Sequence, residues 1–307
     1  MLFISHQGVN LTHMKPNLPI MQLCAALMAL VFLIAFAVDA GSVGTGPGFK
    51  GPVGLQLYSL RAQFMTDVPG TLDKVKGFGI KYVELDGNGT YKVAPEEFKA
   101  QLAARGLVPV SGHFDYARFR DDPDAVARDA KAMGMEYAGC PWVPHQGDFD
   151  EKTCREAVAV FNRAGEALAK QGVKFFYHVH GYEFQPYKDG TLLDLLFSET
   201  NPKFVSYQMD VFWIAFPGQD PVKLLEKYGS RWELMHLKDM KKGTKTGSLT
   251  GNADVKNDVA LGDGQIDITA ILHAAKKVGI KYYFIEDESP SSETQIPQSL
   301  QFLEQVK

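Results

Sequence analysis

Residues 174–180 read KFFYHVH. A short aromatic run that ends in two histidines has the pattern of a parallel strand buried on both faces, with chemistry at its C-terminal end. Three later runs end in the same manner. Residues 204–210, FVSYQMD, finish on Asp210; residues 233–237, ELMHL, carry His236; residues 282–286, YYFIE, finish on Glu286. In a closed parallel barrel every strand opens its C-terminal end onto one face, so residues far apart in sequence meet there. Two imidazoles and two carboxylates converging on one point, His178, Asp210, His236 and Glu286, suit a single divalent cation.

Working outward from these runs, strand and helix patterns alternate along the chain. Strands are predicted over 53–58, 81–85, 107–113 and 136–140 in the first half, then 174–180, 204–210, 233–237 and 282–286. Helices are predicted over 71–78, 95–105, 122–133, 151–171, 192–199, 221–228, 268–278 and 298–305. Pro95 and Pro123 stand where a helix tolerates proline, in its first turn, and Gly79 and Gly134 where helices stop. Eight strands alternating with eight helices predict a single-domain α/β protein, a (β/α)8 TIM barrel over residues 53–307. The loop 240–265 is too long for a simple connector and is polar; lying on the metal-bearing face, it is a lid candidate.

The 307 residues are 45% hydrophobic and 22% charged, with a formal charge of −4. That is ordinary for one large globular domain. It offers no electrostatic reason to expect nucleic acid or an anionic membrane as partner. The first forty residues differ from the rest. Residues 23–37, LCAALMALVFLIAFA, carry no charge, Lys15 precedes them and small residues run to Ala40. That order is expected of a signal peptide over 1–40, hence of an exported, periplasmic protein; an uncleaved membrane anchor and a true start at Met14 stay open. Residues 41–52, GSVGTGPGFKGP, read as a flexible lead-in. Cleavage after Ala40 would leave Cys140 and Cys154, either as buried thiols or as a pair.

Alternation along each strand nominates the remaining site residues. His178 and His180 share a face, so one binds metal and the other contacts substrate or ligand. Asp210 has no helix to cap nearby, because Asp220 caps the next one, at Pro221. Lys238 shares a face with His236 and either moves a proton or pairs with Asp239. Glu286 sits in an apolar strand, where a carboxylate is expensive unless paired or metal-bound. Gln56 and Tyr58 share one side of strand one, Glu84 and Asp86 end strand two, and His113 and Asp115 end strand three. All are placed for substrate, with Glu84 equally readable as the buried partner of a cation. His145 lies in the loop after strand four. Trp142 and Trp213 offer flat surfaces for a sugar ring or for core packing.

Six segments, GLQLYSLR (54–61), YHVHGYEF (177–184), MDVFW (209–213), MHLKDM (235–240), LGDGQID (261–267) and FIEDE (284–288), together resemble the sugar phosphate isomerase/epimerase family, the xylose isomerase-like TIM barrels. The resemblance covers about residues 53–305. It implies one metal ligand from each of strands five to eight, placing those roles on His178, Asp210, His236 and Glu286. Ketose-epimerising relatives have glutamate where this chain has His178, and use the two glutamates as acid and base. Here Glu286 remains, and His180, Lys238 and His113 join it as candidates for proton transfer. The implied activity is that of a metal-dependent isomerase, epimerase or lyase acting on a sugar or keto-sugar derivative. It would remove a proton next to a carbonyl to give an enediolate; the missing second glutamate and the export signal favour elimination on keto-glycosides. The imidazoles favour manganese, zinc or cobalt over magnesium. A non-catalytic sugar-binding barrel and an abasic-site endonuclease, which shares the fold, are the alternatives. The acidic balance disfavours the endonuclease. LGDGQ is the one faint phosphate-loop pattern.

Overall fold

The computed structural model describes residues 43–87 and 91–307. The expected signal segment at 1–40 lies outside the described residues. Among those described, eight parallel strands close in chain order into one barrel. They are β1 (Val53–Gln56), β2 (Tyr82–Asp86), β3 (Val108–His113), β4 (Tyr137–Cys140), β5 (Lys174–His178), β6 (Val205–Asp210), β7 (Trp232–Leu237) and β8 (Tyr282–Ile285). The longer helices between and after them are α1 (Val68–Gly77), α2 (Pro95–Ala104), α3 (Pro123–Met133), α4 (Glu151–Lys170), α5 (Leu192–Glu199), α6 (Pro221–Tyr228), α7 (Ile268–Val278) and α8 (Ser292–Gln305).

Local chemistry sets the boundaries of α3 and α4. Asp122 caps α3 by accepting from the Ala125 N–H, Pro123 occupies the first turn, and Gly134 takes the left-handed conformation at φ 87° to end it. Asp150 caps α4 by accepting from Thr153 N–H, and Ala157, Phe161, Ala164 and Leu168 form its buried stripe. In α8 the helix starts earlier than expected and carries Pro297 within it. Burial of Ile296, Leu300 and Leu303 outweighs the hydrogen bond that the proline gives up.

Inside the barrel, Val110, Tyr137, Phe176, Leu234 and Phe284 form an apolar plug. His178, His236 and Glu286 follow Phe176, Leu234 and Phe284 by two positions. The two-residue period of a strand therefore stacks the polar groups directly above the plug, at the C-terminal mouth. The described part of the lead-in is not free. Gly44 N–H donates to Glu304 Oε1 at 3.0 Å and Gly48 N–H to the Val306 carbonyl at 2.9 Å. Phe49 packs edge-on against Tyr283 at 4.9 Å.

The long loop after β7 is strapped down at both ends. Asp239–Met240 pairs antiparallel with Asp258–Val259. The Asp239 carboxylate accepts from Met240 and Ile266 N–H through Oδ1, and from Gly262 and Gly264 N–H through Oδ2. The glycine amides of the LGDG turn are thus taken by Asp239, so the turn has no phosphate-loop character.

Candidate active site

A cavity of about 580 Å³ opens at the mouth of the barrel. His178, His180, Trp213, Lys238, Glu286 and Glu288 contribute to its lining, and Gly251, Asn252 and Ala253 of the long loop cover one side. The volume is that of a small-molecule site.

Asp210, His236 and Glu286 bring one ligand atom each within 4.8 Å of one another. His236 Nδ1 lies 3.6 Å from Asp210 Oδ2 and 3.3 Å from Glu286 Oε2. Asp210 divides its carboxylate between two tasks. Oδ1 accepts from Phe212 and Trp213 N–H at 2.8 and 3.1 Å, capping a short helix, Val211–Ala215. Oδ2 is buried with no hydrogen-bond partner among the described residues, and so is His236 Nδ1. Two such orphans side by side are costly unless a cation lies between them. Two ligand atoms about 2.1 Å from one tetrahedral ion stand about 3.4 Å apart. The nitrogen and two carboxylate oxygens thus fit a divalent metal in chemistry and in spacing. Burial works against a charged His236 ring, yet Glu286, Glu84 and Asp210 raise its pKa well above the usual value, a measure of how strongly this cluster attracts positive charge.

Below the mouth lies a fully buried polar floor. Glu84 Oε1 accepts from Gln56 Nε2 at 2.9 Å and from His236 Nε2 at 2.5 Å, and Oε2 from Ser111 Oγ at 2.6 Å and Gln208 Nε2 at 2.9 Å. Burial alone would raise the Glu84 carboxyl; the neighbouring His113 and His236 and these hydrogen bonds carry it down to about 2. Gln208 Oε1 contacts His178 Nδ1 at 2.9 Å and His113 Nε2 at 3.1 Å.

Around the cavity, Lys238 is buried against three carboxylates. Its Nζ lies 3.3 Å from Glu286 Oε2 and 3.6 Å from Asp258 Oδ2, and it hydrogen-bonds Glu288 Oε1. Burial opposes the charge, but Glu286, Glu288 and Asp258 raise the Lys238 pKa well above normal, so it is an ammonium. Asp258 is pushed up to about 7 by burial, with Lys238 opposing. His180 goes the other way: burial first, then the charge of Lys238, lowers it to about 3, leaving a neutral imidazole at pH 7. Its ring stacks on Trp213 at 4.5 Å and meets the edge of Trp142 at 5.0 Å. His180 Nδ1 and Trp213 Nε1 are buried and unpartnered among the described residues. The site therefore joins a candidate metal centre, a neutral base and a fixed cation.

Comparison with known proteins places this architecture. A family model described as Xylose isomerase-like TIM barrel matches residues 72–306. The chain belongs to the xylose isomerase-like TIM barrel family. Inosose dehydratase of Geobacillus thermodenitrificans (strain NG80-2) is 30% identical over 131 residues, which are 40% of this chain and 43% of that protein. The match thus spans less than half of the curated relative's length. The crystal structure of a sugar phosphate isomerase/epimerase from Parabacteroides distasonis ATCC 8503 superposes with a TM-score of 0.71 at 24% identity, covering 88% of this chain and 98% of that one. The structure of the IOLI protein with a bound zinc atom superposes at TM-score 0.65 and 15% identity, covering 83% and 95%.

Within this xylose isomerase-like barrel, the residues nominated from sequence separate into layers. Of the four expected metal ligands, Asp210, His236 and Glu286 share one cluster. His178 joins His236 and His113 in an adjoining cluster, its ring centroid 4.8 Å from that of His236. The expectation that Asp210 has no helix to cap is corrected by the short helix Val211–Ala215, which no proline or glycine announces. β5 ends at His178, and Gly181 turns the chain at φ 92°, so His180 reaches the cavity from a loop and not from the strand face.

Tyr58, Trp142 and Trp213 line the cavity. Gln56, Glu84 and His145, placed for substrate from sequence, do not. Gln56 and Glu84 have no exposure because they sit one layer too deep. His145 stacks on Trp142 at 5.2 Å and donates Nδ1–H to the Val143 carbonyl at 2.7 Å. His113 lines the cavity, but Gln208 and Gln56 engage both its ring nitrogens, the Gln56 contact at 3.4 Å, which leaves no free nitrogen for proton transfer. Cys140 and Cys154 are free buried thiols. Sequence reasoning missed Gln208 and Asp258. Gln208 stood two residues before Asp210 on the same strand face, a usable signal; Asp258 lay in a polar loop with none.

Proposed function

We propose that this barrel is a metal-dependent lyase or isomerase acting on a sugar or keto-sugar derivative, through removal of a proton next to a carbonyl. The observation that carries the reading is the buried pair Asp210 Oδ2 and His236 Nδ1, unpartnered among the described residues, beside Glu286, which lines the same cavity as the neutral His180. The dehydratase and isomerase/epimerase names of its relatives, and the zinc of the IOLI structure, support the same class.

Asp210, His236 and Glu286 would hold the metal, with His178 beside them. A divalent cation there supplies Lewis acidity that lowers the pKa of a C–H beside a carbonyl. The chain's residues do the rest. Trp142 and Trp213 present aromatic faces to the apolar face of a ring. His180, neutral and lining the cavity, accepts the proton from carbon, the negative charge developing on the substrate strengthening it as a base in that step, and the substrate becomes an enediolate. Lys238 holds its ammonium where negative charge then develops.

In elimination the C–H electrons form the C=C bond, the β C–O bond breaks, and the proton taken by His180 passes to the departing oxygen, which leaves as water or, from a keto-glycoside, as the alcohol. His178 at the strand-five end, where a second carboxylate would serve epimerisation, favours this outcome. Elemental analysis of purified protein, joined to NMR in deuterated water over keto sugars, keto-glycosides and inososes, tests the reading. Deuterium uptake or an unsaturated product that disappears on chelation is expected. Full activity after metal stripping overturns the metal reading. Bound metal and sugar without proton exchange marks a non-catalytic binder, and cleavage of an abasic duplex an endonuclease.

A further inference from the structure

We propose that Glu84, at the barrel floor, is a positioning residue that dictates which ring nitrogen each of two histidines turns to the metal, Nδ1 for His236 and Nε2 for His178. The inference rests on the metal reading above and extends it to groups that never touch the ion.

Glu84 receives side-chain contacts from Gln56, Ser111, Gln208 and His236, distributed over both oxygens. A carboxylate met by amide and hydroxyl donors on both oxygens acts as acceptor only. His236 must therefore carry its proton on Nε2, and its Nδ1 lone pair faces Asp210 Oδ2 and Glu286 Oε2. Gln208 must offer its NH₂ to Glu84, so its Oε1 faces the other way, toward His178 Nδ1 and His113 Nε2. An amide oxygen only accepts, so both nitrogens carry protons. His178 is left with Nε2 as its ligand atom. His113 is left with Nδ1, which Gln56 Nε2 contacts at 3.4 Å. Gln56 is held in its turn, because its Oε1 accepts from Tyr58 N–H at 3.0 Å.

One acid on β2 thus sets the amide and tautomer choices on β1, β3, β5, β6 and β7. An outer carboxylate that fixes a ligand histidine's tautomer and raises its basicity is worth roughly 10- to 100-fold in metal affinity.

The test uses the whole protein with ¹⁵N-labelled imidazoles, loaded with zinc or ¹¹³Cd. In the wild type, His236 should bind metal through Nδ1 with a slowly exchanging Nε2–H, and His178 through Nε2 with Nδ1–H retained. Metal on the opposite nitrogen of either ring overturns the assignment and needs no variant. In Glu84→Gln the new NH₂ must meet a donor on either side, Gln56 and His236 or Ser111 and Gln208. Calorimetric affinity for zinc should fall roughly 10- to 100-fold, and the ring-nitrogen signals should change, at His236 for the first orientation and at His178, through Gln208, for the second. Unchanged affinity and unchanged ring nitrogens in a folded Glu84→Gln protein sink the role of Glu84 while sparing the metal reading. A wild type that binds no metal sinks both.

Discussion

Asp210 and His236 are register neighbours on β6 and β7, yet Asp210 Oδ2 and His236 Nδ1 face each other across 3.6 Å without a hydrogen bond. The other oxygen of Asp210 caps the helix that follows. The two roles are separable. Asp210→Asn keeps an oxygen for the cap and loses the ligand; Asp210→Ala loses both. Manganese or zinc at a hundred times its Kd should stabilise the wild type by about 2.7 kcal/mol. Asp210→Asn should keep the metal-free melting temperature and lose the metal-induced rise. Asp210→Ala should also lose about 1 kcal/mol without metal. Melting curves with and without metal decide; a full metal response in Asp210→Asn excludes Asp210 as a ligand.

Lys238 is the shared counter-charge of Glu286, Glu288 and Asp258. Lys238→Met keeps the stem and removes the charge, leaving these carboxylates to repel one another. A loss of about 3–5 kcal/mol is expected, as for any buried pair broken on one side. Because Asp258 ties the long loop to the site, hydrogen exchange should quicken at residues 255–262. Denaturant melts and exchange mass spectrometry measure both, and native-like protection of that segment contradicts the role.

Trp213 lines the cavity, and its buried indole N–H has no partner among the described residues. Trp213→Phe preserves the stacking surface against His180 and deletes the donor. One neutral hydrogen bond is worth about 1 kcal/mol. KM for the turned-over sugar should therefore rise up to roughly tenfold with kcat unchanged. Steady-state kinetics test this; a fall in kcat at constant KM would place the indole in the chemistry.

Glu183 gives a pH-dependent stability. Burial raises its carboxyl from 4.5 to about 7, with the Tyr177 hydroxyl and the His180 N–H opposing. The unfolded chain loses this proton near pH 4.5 while the folded chain keeps it. Stability from this group is therefore full below pH 4.5 and declines as pH rises to about 7, by about 3 kcal/mol. Glu183→Gln should flatten the melting temperature across that window. A wild-type profile that rises from pH 4.5 to 7 and matches that of Glu183→Gln would refute it.

Much of this protein is written in local pattern. Aromatic and β-branched runs such as FFYH and YYFI are buried on both faces, so their sequence alone marks them as barrel strands. The prolines and glycines at helix ends act through backbone geometry that needs no partner. Polar groups at the strand ends stood out because charge in an apolar strand has few explanations.

Depth, by contrast, was not legible. Alternation gives the face of a strand on which a residue lies but not the layer it reaches, which depends on how far neighbouring strands are staggered when the barrel closes. Gln56 and Glu84 pair in register one layer below the cavity, so residues suited to substrate became its floor. Gln208 pairs with His178 in the same way, and only that register turns an ordinary strand glutamine into the link between Glu84 and two histidines. Asp258 gained its lysine partner only when the long loop folded back on Asp239–Met240. Hydrophobic period and end signals act over a few residues and are carried by the chain itself. The meeting of carboxylate, imidazole and amide depends on contacts between positions as distant as Glu84 and His236, which exist only once the barrel is closed.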